Sequence, residues 1–538
     1  MPLIRIDEKE IEVAQGETIL RAALSNGIYI PYYCYHPALS IVGQCRMCLV
    51  DVKGAPKPLT ACSTAVTSLP PDKKIQGKYD MVVDTKNATV KKAQRGILEF
   101  LLLNHPLDCP ICDQAGECQL QEYAYTYGSG QSRFEFEKVH APKRVGIGPH
   151  VVFDVERCIK CTRCIRFCNE ISKTSELTLV ERGVHTRVDT FPGRALDNPY
   201  SICTVDVCPV GALTSREFRF KERVWFLSSA NSVCPECSRG CSVRFDTYKG
   251  EVLRLVPREN PKINGLWMCD YGRLLSERLK TLDLAARPRI RDEKGWAAYL
   301  WEEFAPRLVA KTAAFTGSPS KDLGIVISAR MTLEEMVAFK RLSAALLGGN
   351  EGWVLNVTQG EDDGLLIRKE GRPNLKGAEL LDIPAAPENA LVSGLLAGKK
   401  AALIVREDVV GDAEGPEKDA LRELLSGMDL VIVADYAFTE TAALAHLYIP
   451  LAGWQEMEGI TVNFLGVAQK TARAVAPPKQ RRPFYEAVSL WLRAAGHEAP
   501  EPTFLAWHAL AKEAVPALKD KAIRDFLPHG IQLEVTRP

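Results

Sequence analysis

Four groups of soft, metal-binding side chains stand out in the first half of the sequence. The first is Cys34, Cys45, Cys48 and Cys62, spaced C-x10-C-x2-C-x13-C. The second, His105, Cys109, Cys112 and Cys118, is spaced H-x3-C-x2-C-x5-C. Next come Cys158, Cys161, Cys164 and Cys208, and last Cys234, Cys237, Cys241 and Cys269, spaced C-x2-C-x3-C-x27-C. Thiolates gathered from loops bind iron–sulfide cores or zinc. For the first set a 2Fe-2S cluster fits, although the spacing departs from the plant-type C-x4-C-x2-C pattern. Zinc, or plain core cysteines, are the alternatives there. A single histidine carries little weight, but His105 ends a helical run just before three cysteines at ligand spacing. A 4Fe-4S cluster at the second set would have a neutral imidazole in place of one thiolate, hence less negative charge and a higher potential. A Cys3His zinc site competes with it.

The third set follows from counting. Cys158-x2-Cys161-x2-Cys164-x3-Cys168 reads as the first half of a bacterial two-cluster ferredoxin, in which the fourth cysteine of each half ligates the other cluster. The second half ends at Cys208-Pro209, and counting back puts Asn198, Ser201 and Thr204 where three cysteines belong. One 4Fe-4S cluster is therefore expected on Cys158, Cys161, Cys164 and Cys208, with Cys168 left over and Cys203 structural. The alternative completes the set with Cys168. The fourth set also reads as 4Fe-4S, against zinc. Four sets in tandem, using 15 cysteines and one histidine, suit a string of redox centres better than a string of zinc sites.

The elements that must position these ligands can be read in outline. Residues 3–6 and 11–13 read as a hairpin turning at Asp7–Lys9, and residues 18–25 as a short helix ahead of the Cys34 loop. That order suits a β-grasp ferredoxin. A helix is expected from about Val90, with Ile97, Leu98, Phe100, Leu101 and Leu102 on a broad apolar face, stopping at His105–Pro106. A polar connection is expected over 122–149, and strand-like residues between Val243 and Val256 suggest a small sheet at the fourth set. From about Leu282 strands and helices alternate. Residues 324–328, 401–405 and 430–434 are buried-strand runs, and Thr332-x-x-Glu335 is a capping box opening a helix that Gly348–Gly349 closes. This predicts a doubly wound parallel sheet, with 474–483 as a surface connection.

Bulk properties exclude more than they assign. A net charge of +1 over 538 residues gives no electrostatic case for nucleic acid. No apolar run is long enough to span a bilayer, and the first ten residues lack a signal-peptide pattern, so a cytoplasmic location is expected, with membrane association through partners. All 17 cysteines lie between Cys34 and Cys269; in a reducing compartment this density points to metal rather than disulfides. No Gly-x-Gly-x-x-Gly nucleotide loop is found.

With Cys45-Arg46-Met47-Cys48, the stretch His105–Cys118, the stretch Cys158–Phe167, Cys208-Pro209-Val210-Gly211-Ala212-Leu213, the stretch Thr439–Ala443 and Glu456-x-Glu458-Gly459, the sequence resembles the large iron–sulfur subunit of bacterial NADH-quinone oxidoreductase, respiratory complex I. The resemblance implies a multidomain α/β and α+β chain: a 2Fe-2S ferredoxin-like domain (1–85), a His(Cys)3 4Fe-4S domain (86–128), a ferredoxin-like domain with one cluster lost (150–222), a 4Fe-4S domain of the Mo/W-bis-MGD type (227–283) and a molybdopterin-oxidoreductase-like α/β region (284–538). It implies one 2Fe-2S and three 4Fe-4S clusters, the fourth off the main electron path. It also implies a flavin-bearing NADH-oxidising partner, other iron–sulfur subunits of the peripheral arm, indirect contact with the membrane arm, and a place on the cytoplasmic face of the plasma membrane. The whole complex would couple quinone reduction to proton translocation. The C-terminal region looks reduced and has no cysteine after Cys269 for a molybdenum centre, so no molybdopterin is expected, and no catalytic residue is assigned. A carrier subunit of an NAD-coupled hydrogenase or formate dehydrogenase is the alternative, and a zinc-stabilised scaffold a third reading.

Overall fold

The computed structural model describes residues 1–316, 322–349, 352–355, 360–387, 390–478 and 480–533. These separate into two units, 1–227 and 228–538.

The first unit opens with a five-stranded sheet ordered β2-β1-β5-β3-β4, made by β1 (Leu3–Ile6), β2 (Lys9–Glu12), β3 (Leu49–Val52), β4 (Leu59–Thr60) and β5 (Met81–Asp84). β1 and β5 run parallel while the other pairs are antiparallel, the β-grasp order expected. The hairpin turn is tighter than the sequence suggests: Asp7, at φ 53°, turns the chain so that Lys9 already pairs with Ile6. Helix α1 (Ile19–Ser25) is capped by Thr18, whose side chain accepts from the Arg21 N–H. It buries Ile19, Leu20, Ala22 and Ala23 against Ile4, Ile6 and Val50.

Helix α2 (Ala88–Leu103) forms where expected, capped by Asn87. Its apolar face is narrower than its sequence: Leu98 is buried, whereas Phe100 is 74% exposed. The connection expected over 122–149 is also corrected, because it begins inside α3 (Gln119–Tyr127), which buries Leu120 and Tyr123. Beyond it lie β6 (Val145–Gly146), β7 (Val151–Phe153), α4 (Arg163–Glu170), the hairpin β8 (Leu177–Val180) and β9 (Arg187–Thr190), α5 (Cys203–Val207) and β10 (Leu213–Ser215). β10, β7 and β6 form one small sheet.

The second unit begins with an antiparallel sheet of β11 (Ser228–Val233), β12 (Ser242–Tyr248) and β13 (Glu251–Pro257). Helix α6 (Asp270–Arg273) and α7 (Leu275–Thr281) follow. A seven-stranded sheet then carries β14 (Arg289–Asp292), β15 (Gly295–Ala298), β16 (Leu323–Ser328), β17 (Trp353–Leu355), β18 (Ala401–Val405), β19 (Leu430–Asp435) and β20 (Leu447–Pro450). The order is β15-β14-β20-β19-β18-β16-β17. Strands β20 to β17 are mutually parallel, and the β14–β15 hairpin adds an antiparallel edge to the sheet expected.

The strands read as unbroken apolar runs because both faces are covered. Ile325, Ile327, Leu403, Val405 and Ile432 face one core, while Val326, Ala402, Ile404, Val431 and Val433 face another. Between them α8 (Trp301–Thr312) and α9 (Leu333–Leu346) are helical, and the capping box of Thr332 and Glu335 is formed at the start of α9. The stretch 474–483 is not simply a surface connection: Arg481 is buried and pairs with Glu456 at 2.6 Å, while Lys479 lies outside the described residues. Among the described residues no helix is long and apolar enough to cross a membrane.

Candidate metal centres

The four cysteines of the first set come from a loop and two strand ends. Cys45 and Cys48 precede β3, Cys62 follows β4, and Cys34 leads the loop between α1 and β3. Gly43 and Arg46 both adopt positive φ, 62° and 60°, which turns the loop twice within four residues. The Cys34 N–H donates to Cys45 Sγ at 3.4 Å. Thiol hydrogen bonds join Cys34 to Cys45 and to Cys62, and Cys62 to Cys48. As acceptor from Cys45 and Cys62, Cys34 is held well below the usual thiol range, and the donors are pushed up. The set is therefore continuous, with three of its four members buried.

In the second set Cys109 and Cys112 flank a single 3-10 turn, and Cys118 occupies the N-cap of α3. Burial raises the thiols of Cys112 and Cys118, and the cysteines of the set add to this by repelling one another's charge. His105 follows α2 and lines a cavity shared with Cys158 and Lys160. Burial, then the Arg157 charge, lowers its pKa to about 4, which keeps the imidazole neutral and able to ligate. Arg157, which no sequence motif singles out, is buried beside both His105 and Cys112 and ion-pairs with Asp108 at 2.8 Å. Gly211, three residues after Cys208, also bears on this set: a Cβ there would stand 2.2 Å from Cys112 Sγ.

Cys158, Cys161, Cys164 and Cys208 line one cavity. Lys160 and Thr162 between them adopt positive φ, 56° and 62°, so the loop coils around the space that its thiols face. Burial pushes Cys161 up to about 11 and Cys158 to about 12, and the charge of Cys208 adds to both. Cys168 lies elsewhere. It is fully buried, and its thiol is hydrogen-bonded to Glu176 and Ser172. Glu176 also accepts from Asn198 Nδ2 at 2.9 Å, and Ser201 and Thr204 are buried on the same segment as Asn198. Polar side chains thus occupy the positions where the sequence has lost three cysteines. Two buried arginines of α4 tie this set to the first. Arg166 donates to the carbonyl of Cys34 at 2.5 Å, and Arg163 to that of Tyr35 at 2.6 Å.

The fourth set bridges the small sheet and α6. Cys234 follows β11, Cys241 precedes β12, and the Cys234 N–H donates to the Cys241 carbonyl at 2.8 Å. Cys269 is the N-cap of α6. A Cβ on Gly272 would meet Cys234 Sγ at 2.9 Å and Cys269 Sγ at 3.7 Å, so the two thiols flank that glycine. Burial raises all four, pushing Cys269 to about 12. Among the described residues no three His, Cys, Asp or Glu side chains converge as they would on a single metal ion.

Each set falls within a separate family match. Residues 3–68 match a 2Fe-2S iron-sulfur cluster binding domain, and 94–133 match the NADH-ubiquinone oxidoreductase-G iron-sulfur binding region. Residues 148–214 match the ferredoxin-like domain of NADH-quinone oxidoreductase subunit 3, and 227–281 the Fe4S4 domain of molybdopterin oxidoreductases. Residues 358–489 match the molybdopterin oxidoreductase family itself. The G subunit of NADH-quinone oxidoreductase from Rickettsia felis is 38% identical over 349 residues, 64% of this chain and 49% of that protein. Over about two thirds of its length the chain is similar to G subunits of NADH-quinone oxidoreductase. The Streptomyces coelicolor protein of the same name is 37% identical over 351 residues, 65% of this chain and 40% of that protein. Its Mycobacterium tuberculosis counterpart is 38% identical over 353 residues, 65% and 42% respectively. This chain spans about half the length of the curated relatives it matches. It thus carries 2Fe-2S and 4Fe-4S binding domains followed by a molybdopterin-oxidoreductase-type region.

Proposed function

We propose that this chain is the iron–sulfur electron-transfer subunit of an NADH:quinone oxidoreductase, taking electrons from a flavin-bearing NADH-oxidising partner and passing them toward quinone-reducing subunits. The observation that carries the reading is that each of the four thiol sets lies within its own iron–sulfur family match. One 2Fe-2S cluster on Cys34, Cys45, Cys48 and Cys62, and 4Fe-4S clusters on the other three sets, are the proposed complement, and they supply one-electron chemistry when bound. The chain's own part is to shield most of the thiolates from water, Cys109 being exposed, and to hold neighbouring sets together, as Arg163 and Arg166 do for the first and third.

No molybdopterin is proposed at the carboxyl edge of the large sheet, where the described residues enclose little space. Beside the carboxyl ends of β16, β18 and β19 the cavity lined by Arg330, Arg406 and Tyr436 holds about 40 Å³, against about 300 Å³ or more for a site that encloses an organic cofactor. Buried ion pairs Arg372–Glu407 at 2.7 Å and Arg406–Glu335 at 2.6 Å occupy the neighbouring interior. The region serves as scaffold in this reading. Partner subunits of a peripheral arm would hold the chain at the cytoplasmic face of the membrane. The test is anaerobic purification with iron and acid-labile sulfide analysis and low-temperature EPR: about 14 iron atoms per chain are expected. Zinc without sulfide would overturn the reading, and co-purifying hydrogenase or formate dehydrogenase subunits would reassign the complex.

A further inference from the structure

Tyr33 is a fully buried phenol next to Cys34 of the first set. Its ring lies 5.0 Å, centroid to centroid, from that of Tyr123 on α3, the helix that Cys118 caps. It therefore stands between the first and second sets. The surrounding hydroxyls are satisfied: those of Tyr29 and Tyr123 bond to each other, and Tyr123 also reaches the Tyr32 backbone. The Tyr33 hydroxyl has no hydrogen-bond partner among the described residues. An unmatched buried hydroxyl costs about 1–3 kcal/mol, and native interiors rarely carry that cost without a reason.

We propose that the Tyr33 O–H donates a hydrogen bond to sulfur of the centre held by His105, Cys109, Cys112 and Cys118, and so sets its reduction potential; this rests on the cluster reading above. A protonated phenol can serve a sulfur only as donor. Reduction adds negative charge to that sulfur and strengthens the bond, so the donor favours the reduced form and raises the potential. The second set is chosen because the Tyr33 ring packs on Tyr123 of α3, the helix whose N-cap is Cys118.

The test is an EPR-monitored redox titration of the full chain carrying Tyr33→Phe, with iron and sulfide analysis, beside Tyr123→Phe, which removes a hydroxyl already partnered by Tyr29. Tyr33→Phe is expected to keep its iron, leave the first-set midpoint unchanged and lower the second-set midpoint. The expected change is roughly tenfold in the reduction equilibrium, about 59 mV for one electron. Tyr123→Phe is expected to shift neither. An unchanged second-set midpoint, or a shift confined to the first set, overturns the proposal. So does loss of the second-set signal in Tyr33→Phe alone, which would make Tyr33 a packing residue. A wild-type chain without iron and sulfide overturns the cluster reading instead, and does so before any substitution is made.

Discussion

Gly211→Ala probes how closely the third set's loop approaches the second. The added methyl would sit 2.2 Å from Cys112 Sγ and 3.0 Å from Gln114 Cβ, and ordinary contact begins at 3.4 Å, so the sulfur or the loop must give way by 1.2 Å. Gly211 is not among the positive-φ glycines, so alanine brings no backbone strain and the whole effect comes from the collision. Forcing a methyl into a filled interior costs about 1–3 kcal/mol, and here that cost falls on a ligand sulfur. Gly96→Ala is the matched control: it lies inside α2 with nothing within 4 Å of its Cβ position, and glycine to alanine in a helix gains about 0.5–1 kcal/mol. Gly211→Ala is expected to lose or broaden the second-set EPR signal, with about four fewer iron atoms per chain, and to lower the thermal midpoint. Gly96→Ala should keep its iron and raise the midpoint. A Gly211→Ala protein with full iron and an unaltered second-set signal would refute the close approach of Gly211 to Cys112.

Cys208→Ala should lose one 4Fe-4S signal while Cys168→Ala retains every cluster; exchanged outcomes in EPR and iron analysis would reassign the third set. His105→Cys adds a negative ligand charge, and a redox titration should find the cluster kept and its midpoint lowered. Arg406→Ala leaves Glu335 buried without its partner and should cost about 3–5 kcal/mol, read as a fall in the urea midpoint of the C-terminal unit. Burial raises Asp435 to about 7, above about 3.9 in the unfolded chain. The unfolded state therefore sheds its proton first, stability falls between about pH 4 and pH 7, and the full penalty stands above pH 7. Asp435→Asn should raise the thermal midpoint at pH 8 and leave it unchanged at pH 4.

The elements with strong local signals were legible in the sequence. Thr332 and Glu335 announce α9 because a capping box is written in four residues, and the β16, β18 and β19 runs announce a sheet covered on both faces. Ligand pairs two or three residues apart carry a local signal, because so short a loop leaves little choice of partner; the distant members Cys34, Cys62, Cys208 and Cys269 belong to the proposed grouping. What escaped depends on distant residues. Phe100 continues the apolar pattern of α2 but faces outward, since no element of its own unit covers that stripe. Arg157, Arg163 and Arg166 look like surface charge in a ligand motif, yet each is buried and bonded across the fold. Gly459 stands in the Glu456-x-Glu458-Gly459 motif, but its close approach to Thr332 has no local signal. Its hydrogen faces Thr332, where a Cβ would lie 2.3 Å from the threonine methyl.

The segment from Ala88 to Tyr127 and the second unit hold themselves together by different means. In the second, strand and helix residues from Ile290 to Leu533 share one continuous apolar core, and burial of that extent is the ordinary source of folding energy. The segment from Ala88 to Tyr127 has less of this kind: Val90, Leu98, Ala115, Leu120 and Tyr123 are buried, but Phe100, Leu107 and Ile111 are exposed. Its thiols Cys112 and Cys118 are also raised by burial, so packing them away opposes the thiolate form that ligation needs. Where buried ligands must lose protons and little apolar surface is hidden, the free energy of binding metal becomes free energy of folding. On the proposed reading, the segment from Ala88 to Tyr127 therefore owes its fold to its cluster, and the seven-stranded sheet owes its fold to its core.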